Sequence, residues 1–336
     1  MPVTVFPWLE PQWRQILKRK AALPHALLLR GREGIGKLDL ARKLAQSLAC
    51  DTPASGGEAC GACESCRWFA AGTHPDYREV VPEIMRPAEV EAAEAKDRKP
   101  SDEIKVEQVR DLQDFIGLSA HRAGGKVMVI YPAETLNVNA ANALLKNLEE
   151  PPPATRFVLV THRPSYLPAT IISRCQQILL ATPSTDAAGK WLREQGVADP
   201  ALSLAQTGNA PLAALALADG DFWTQRKLLL EGLTAASADP LALADQVRDY
   251  PVSRLLGWLQ RWSYDLLSAR SAGPVRYNPD FEQALTRIAG GLRAVDISRY
   301  HRALVREQRY ASHPLNARLF IEQLLLGYAA LLRGAH

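Results

Sequence analysis

Apolar residues along this chain keep two rhythms, and the change falls near residue 180. Before it stand three short unbroken apolar runs: 26–29 (Ala-Leu-Leu-Leu), 127–130 (Val-Met-Val-Ile) and 157–160 (Phe-Val-Leu-Val). Runs of this kind predict strands buried on both faces. Between them, apolar residues recur at helical spacing in Leu40, Ala41, Leu44, Ala45 and Leu48, in Val106, Val109, Leu112 and Ile116, and in Ala140, Ala143, Leu144 and Leu148. Pro151, Pro152 and Pro153 stop the last of these, because proline cannot continue a helix. Strands alternating with helices predict a parallel α/β sheet that places ligands at the carboxyl ends of its strands. The stretch 83–101, rich in Glu, Lys, Arg, Pro and Ala, reads as a solvated excursion.

Beyond residue 180 the strand signal fades. Pro183, Ser184 and Thr185 read as a linker and helix start, and 191–218 as short helices broken at Gly208 and Pro211. From Phe222 the pattern is helical again. Stripes at Leu255, Leu256, Leu259, Trp262, Leu266 and Leu267, and at Leu319, Ile321, Leu324, Leu325 and Tyr328, predict the core of a helical bundle. The fold class is therefore α/β followed by all-α.

One loop carries chemistry. The first strand runs into Gly31-Arg-Glu-Gly34-Ile-Gly36-Lys37, the G-x-x-x-x-G-K pattern, and a helix follows. Such glycines let backbone N–H groups turn toward phosphate oxygens, and the lysine adds a mobile positive charge. The next position should carry the hydroxyl that ligates Mg²⁺ and carries Leu38 instead. Whether Gly31, Gly34, Gly36 and Lys37 still hold a nucleotide is left open by the sequence.

Composition narrows the setting. A chain of 336 residues, 47% of them hydrophobic, has room for two or three domains. It contains no apolar run of about 18 residues, and residues 1–10 show no basic and apolar leader, so a cytoplasmic protein is expected. A net charge of +4 permits nucleic-acid contact without demanding it.

Four of the five cysteines crowd into 50–66: Cys50, Cys60, Cys63 and Cys66, the last three as C-x-x-C-x-x-C. Closely spaced thiolates suit tetrahedral zinc, and four ligands close the site, so the zinc would be structural. A disulfide pair and an iron–sulfur cluster are the competing readings. His74, in Thr-His-Pro-Asp, reads as a turn residue, and Cys175 as a small buried residue far from the cluster.

Several segments together resemble the AAA+ clamp-loader subunits of bacterial DNA polymerase III. They are His-Ala-Leu-Leu-Leu at 25–29, the cysteine spacing, Ala-Gly-Thr-His-Pro-Asp-Tyr at 71–77, Asn-Ala-Leu-Leu-Lys-Asn-Leu-Glu-Glu-Pro-Pro at 142–152 and Ser-Arg-Cys at 173–175. The resemblance covers residues 1 to about 215 with specific motifs and the remainder by helical pattern, with a terminal helix over 316–332. It implies three domains: an AAA+ P-loop-type domain over 1–179 with a zinc module at 50–66, a helical lid over 180–221 and a helical collar over 222–336. It also implies a five-subunit ring with motor subunits (tau/gamma) and delta, which uses ATP to open a sliding clamp and load it on primed DNA.

Within that resemblance, a working ATPase needs a metal-orienting Asp and a water-polarising Glu at the end of the 127–130 strand. Tyr131 and Pro132 stand there, and Glu134 is displaced. Where motor subunits carry a phosphate-sensing arginine, the lid reads Thr207-Gly208-Asn209-Ala210-Pro211. Arg174 falls where the family places an arginine finger, a guanidinium delivered to the neighbouring subunit's nucleotide, with a structural salt bridge as the competing role. The expectation is a subunit without hydrolysis of its own that completes a neighbour's site. Its rivals are an active AAA+ ATPase or paralogous remodeller, which would hydrolyse ATP alone, and a zinc-dependent DNA-binding module, which would bind DNA tightly and salt-sensitively.

Overall fold

The computed structural model describes residues 5–86, 100–218, 220–235, 239–311 and 316–334. The chain divides into two compact units, 1–183 and 184–336. The excursion read at 83–101 falls mostly outside the described residues; its start, Glu83–Met85, is one 3₁₀ turn.

The first unit is built on a five-stranded parallel sheet: β1 (Ala26–Arg30), β2 (Tyr77–Val80), β3 (Lys126–Ile130), β4 (Thr155–Thr161) and β5 (Gln176–Leu179). Their order is β2-β3-β4-β1-β5. Register is set by pairs such as Leu28 with Leu159 and Met128 with Phe157. The three strands expected from continuous apolar runs are the three interior ones, where both faces are covered. The two missing from the sequence reading are the edges. Tyr77–Val80 carries the adjacent charges Arg78 and Glu79 at its centre, and Gln176–Leu179 is largely exposed, so neither presents the signal of a doubly buried strand.

Helix Lys37–Ala49 begins directly at Gly36 and buries Leu40, Ala41, Leu44, Ala45 and Leu48. On the other helices, Val109, Leu112, Leu144, Leu148 and Ile171 share one core with strand residues Leu28, Met128 and Leu159. Helix Val138–Glu149 is capped by the Asn137 side chain, which accepts the Ala140 N–H, and it ends before the prolines.

In the second unit, Ala188, Leu192, Val197, Leu204 and Ala214 make a small core among the helices Thr185–Glu194, Pro200–Thr207 and Pro211–Ala216. A larger core gathers Leu255, Leu256, Leu259, Trp262 and Leu266 with Ile321, Leu324, Leu325 and Tyr328. The stripe reading fails at one position: Leu319, in the first turn of helix Ala317–Arg333, points outward and is 60% exposed.

Candidate functional site

Two sites with chemistry stand on the first unit, and the finger candidate stands apart from both. The glycine loop leaves β1 with Gly34 at φ 75° and Gly36 at φ 86°, conformations that side chains with a Cβ rarely adopt. A Cβ on Gly31 would come within 2.4 Å of the Leu180 carbonyl oxygen, and one on Gly36 within 2.3 Å of the Phe6 ring. Trp8, stacked on Phe6, ties the loop down by donating from its indole to the Ile35 carbonyl at 2.9 Å.

The cradle is filled by the chain itself. Lys37 is 2% exposed, and its ammonium donates to the Arg32 carbonyl at 2.5 Å. Burial pushes its pKa down to about 8, against the opposing pull of Glu134 and Glu33. At the carboxyl end of β3, where the sequence lacked carboxylates, the Tyr131 hydroxyl lies 3.2 Å from His162 Nε2, and the two rings pack edge to face. Burial raises the Tyr131 pKa to about 12, and burial followed by the nearby Lys37 charge lowers that of His162, so both are neutral at pH 7. Glu134 does come back to this site. Its Oε1 accepts the N–H groups of His162 at 2.9 Å and Arg163 at 3.2 Å, which fastens the end of β4. Its Oε2 and His162 Nδ1 are buried with no hydrogen-bond partner. Displaced in sequence from the strand end, Glu134 is nonetheless returned to the site, because the 3₁₀ turn Ala133–Thr135 swings it inward. His162, which the sequence reading missed, was signalled only by following a buried strand at its carboxyl end.

The cysteines meet as spaced. The four Sγ atoms of Cys50, Cys60, Cys63 and Cys66 lie within 4.8 Å of one another. Cys50 Sγ is 3.6 Å from that of Cys60 and 3.8 Å from that of Cys63. Sulfurs about 2.3 Å from a tetrahedral zinc stand about 3.8 Å apart, so the set fits one such ion. All four are free thiols, which removes the disulfide reading. Sulfurs within 4.8 Å of one another are spaced for a single ion rather than for a multi-iron cluster, whose ligands stand farther apart.

Backbone N–H groups point at the sulfurs: Cys60 N at Cys50, Cys63 N and Ala62 N at Cys60, and Cys66 N at Cys63, at 3.3–3.4 Å. Gly61, at φ 74°, makes the turn that aims them. The Thr52 hydroxyl and then these N–H groups lower the Cys60 pKa to about 6, whereas burial raises that of Cys66. Cys175 is buried in the sheet core, where burial raises its pKa to about 11.

His74 does begin a turn, through its carbonyl to Tyr77 N–H, but its ring is a buried hub. Nδ1 accepts the Asp76 N–H at 3.0 Å and Nε2 lies 2.6 Å from Ser65 Oγ, which donates to the Ala49 carbonyl. Ser65 spends its only proton on Ala49, so Nε2 must carry the ring proton. That tautomer makes the group a structural strut between the cysteine module and the end of the glycine-loop helix, and rules it out as a serine-activating base. The Asp76 carboxylate points away to the N–H groups of His121 and Arg122.

Arg174 ends helix Ala169–Arg174. Its Nη1 donates to the Thr170 carbonyl at 3.0 Å and to Ser173 Oγ at 3.4 Å, and its Nη2 pairs with Glu149.

A parallel sheet in this order, with a glycine loop joining β1 to its helix, defines a P-loop α/β protein of the AAA+ class. The particular family follows from the comparisons. Residues 9–184 match the family described as "DNA polymerase III, delta subunit", and residues 220–329 match its C-terminal counterpart. The DNA polymerase III subunit delta' of Pseudomonas aeruginosa is 40% identical over 270 residues, covering 78% of this chain and 77% of that one. The same subunit of Escherichia coli is 33% identical over 333 residues, covering 96% and 94%. The chain belongs to the DNA polymerase III subunit delta' family. A gamma subunit-related protein of Thermotoga maritima shares the fold, with a TM-score of 0.50 at 19% identity over 97% of this chain and 100% of that one. Among the described residues no helix is long and apolar enough to cross a membrane.

Proposed function

We propose that this chain is a cytoplasmic, non-hydrolysing clamp-loader subunit. It would assemble with tau/gamma and delta in a five-membered ring that loads a sliding clamp on primed DNA. The AAA+ unit would carry a structural zinc at Cys50, Cys60, Cys63 and Cys66. Residues 180–221 would serve as lid and 222–336 as collar. The observation that carries the reading is the state of its own cradle. Lys37 is spent on Arg32, Leu38 replaces the metal-binding hydroxyl, and Tyr131 and His162 occupy the strand ends where metal and water would be positioned. Phosphoryl transfer depends on positioned charge, and here that charge is turned inward.

Arg174, half-buried at its helix end, would instead act on the neighbouring subunit's nucleotide, where a finger is worth ~10³–10⁵ in rate. The test is a loader rebuilt with Arg174→Ala. DNA-dependent ATP hydrolysis at the facing site and clamp loading should both collapse. A mutant complex equal to wild type, or ATP hydrolysis by the isolated chain, refutes the reading.

A further inference from the structure

The ion pair on Arg174 raises a question about the finger's pose. Glu149 is the last residue of helix Val138–Glu149, and its carboxylate takes the Arg174 Nη2. Thr170 and Ser173 take Nη1. A guanidinium has five N–H groups, so these partners leave two, enough for a bidentate hold on a phosphate. The pair lies at the surface, with the Arg174 side chain half-buried (34% accessible) and that of Glu149 exposed (48%), and such pairs contribute little to stability. The backbones beneath are rigid, since Leu144 and Leu148 of one helix and Ile171 of the other lie in one buried core.

The far end of the same helix follows directly on Tyr131–Glu134. Twelve residues place its two ends ~18 Å apart. One end is therefore set by a cradle that this chain fills with its own side chains, and the other holds the guanidinium.

We infer that Glu149 is a positioning residue for Arg174, holding the guanidinium in one constant orientation with two N–H groups left for a neighbour's phosphate. The inference rests on the reading of Arg174 as a finger. A side chain with this many rotamers loses reach when untethered, at a cost in rate of about three- to ten-fold.

The experiment uses loaders whose motor subunits lack their own fingers, so that the site facing this chain is the one left complete. Glu149→Ala should lower kcat about three- to ten-fold, with KM for ATP and the melting temperature of the subunit unchanged. Glu149→Asp should recover part of the loss, and Glu149→Ala should add nothing in an Arg174→Ala background. Wild-type kcat for Glu149→Ala beside a collapsed Arg174→Ala overturns this inference and leaves the finger standing. Wild-type kcat for both overturns the finger itself. A loss that persists in the Arg174→Ala background, or one that tracks a lower melting temperature, makes Glu149 a structural residue and also overturns the inference.

Discussion

The glycine cradle and the cysteine knuckle are built alike and have ended differently. Each aims backbone N–H groups from a glycine turn toward a place for something charged. In the knuckle those groups reach the sulfurs of Cys50, Cys60 and Cys63, three of four that stand close enough for one ion. In the cradle the lysine meets a carbonyl of its own loop, while a carboxylate oxygen and a histidine nitrogen lie buried without partners. A site under demand for its ligand keeps its donors directed at that ligand. On the proposed function the cradle is relieved of that demand, which lets it redirect them and leave loose ends.

The comparison predicts a large effect at the knuckle. Protein purified without chelator should carry about one zinc per chain, and Cys63→Ser should abolish that binding. Losing the ion should cost several kcal/mol and lower the melting temperature of the first unit by roughly 10 °C. Protease cleavage within 51–63 should become fast, because that loop is otherwise held by few side-chain contacts, among them Lys20, whose ammonium donates to the Gly57 carbonyl at 2.8 Å, Ser47 on the same oxygen at 2.6 Å, and the Trp13 indole, which donates to Glu58 at 3.2 Å. A metal-free variant as stable as wild type would erase the contrast.

At the cradle the expected effect is smaller and of another kind. Lys37→Met removes the ammonium from the Arg32 carbonyl and from the field of Glu134. It should change stability by no more than about 1.5 kcal/mol, because the lost hydrogen bond to the exposed Arg32 is offset by relief of the burial cost of the ammonium. ATP hydrolysis by the assembled loader should stay within about twofold of wild type, whereas a hydrolysing site would lose its phosphate contact and its activity. Loss of hydrolysis at unchanged stability would restore the cradle to working status.

How far each site was legible follows from where its residues lie in the sequence. The knuckle is local: its ligands span 50–66, and spacing alone groups them. The cradle's glycines are equally local, but its filling comes from Tyr131, Glu134 and His162, more than ninety residues away and joined only by the sheet order. Sequence reasoning saw which carboxylates were missing and could not see what replaced them. The same logic separates interior strands from edges. Doubly buried β1, β3 and β4 announce themselves by unbroken apolar runs, and β2 and β5 do not. Leu319 shows the limit of a stripe, since a position in a first turn can share the apolar period and still face outward.

The smallest predicted effect separates two histidines, His74, which is buried, and His162, which is half-buried. His74 is fully partnered, with Nδ1 accepting from Asp76 N–H and Nε2–H serving Ser65, and His162 has one bare nitrogen. Burial lowers the His74 pKa below its ordinary 6.5, more than Asp76 and Asp51 raise it. On acidification the unfolded chain therefore takes up this proton first, and stability falls as pH drops from about 6.5 through the lower folded value. The slope from one such group is at most ~1.4 kcal/mol per pH unit, and above 6.5 it vanishes. His162 shifts the same way, so the wild-type curve contains both contributions. Urea unfolding at pH 5, 6 and 7 should show His74→Gln with a shallower acid slope and a lower plateau, since the variant also loses the strut at neutral pH. His162→Gln should flatten the slope with little loss at pH 7, because its ring leaves a polar atom unmet that the variant does not need. Equal plateaus for the two variants would mean that the knuckle side is no better satisfied than the cradle, and the contrast between a retained site and a released one would fail.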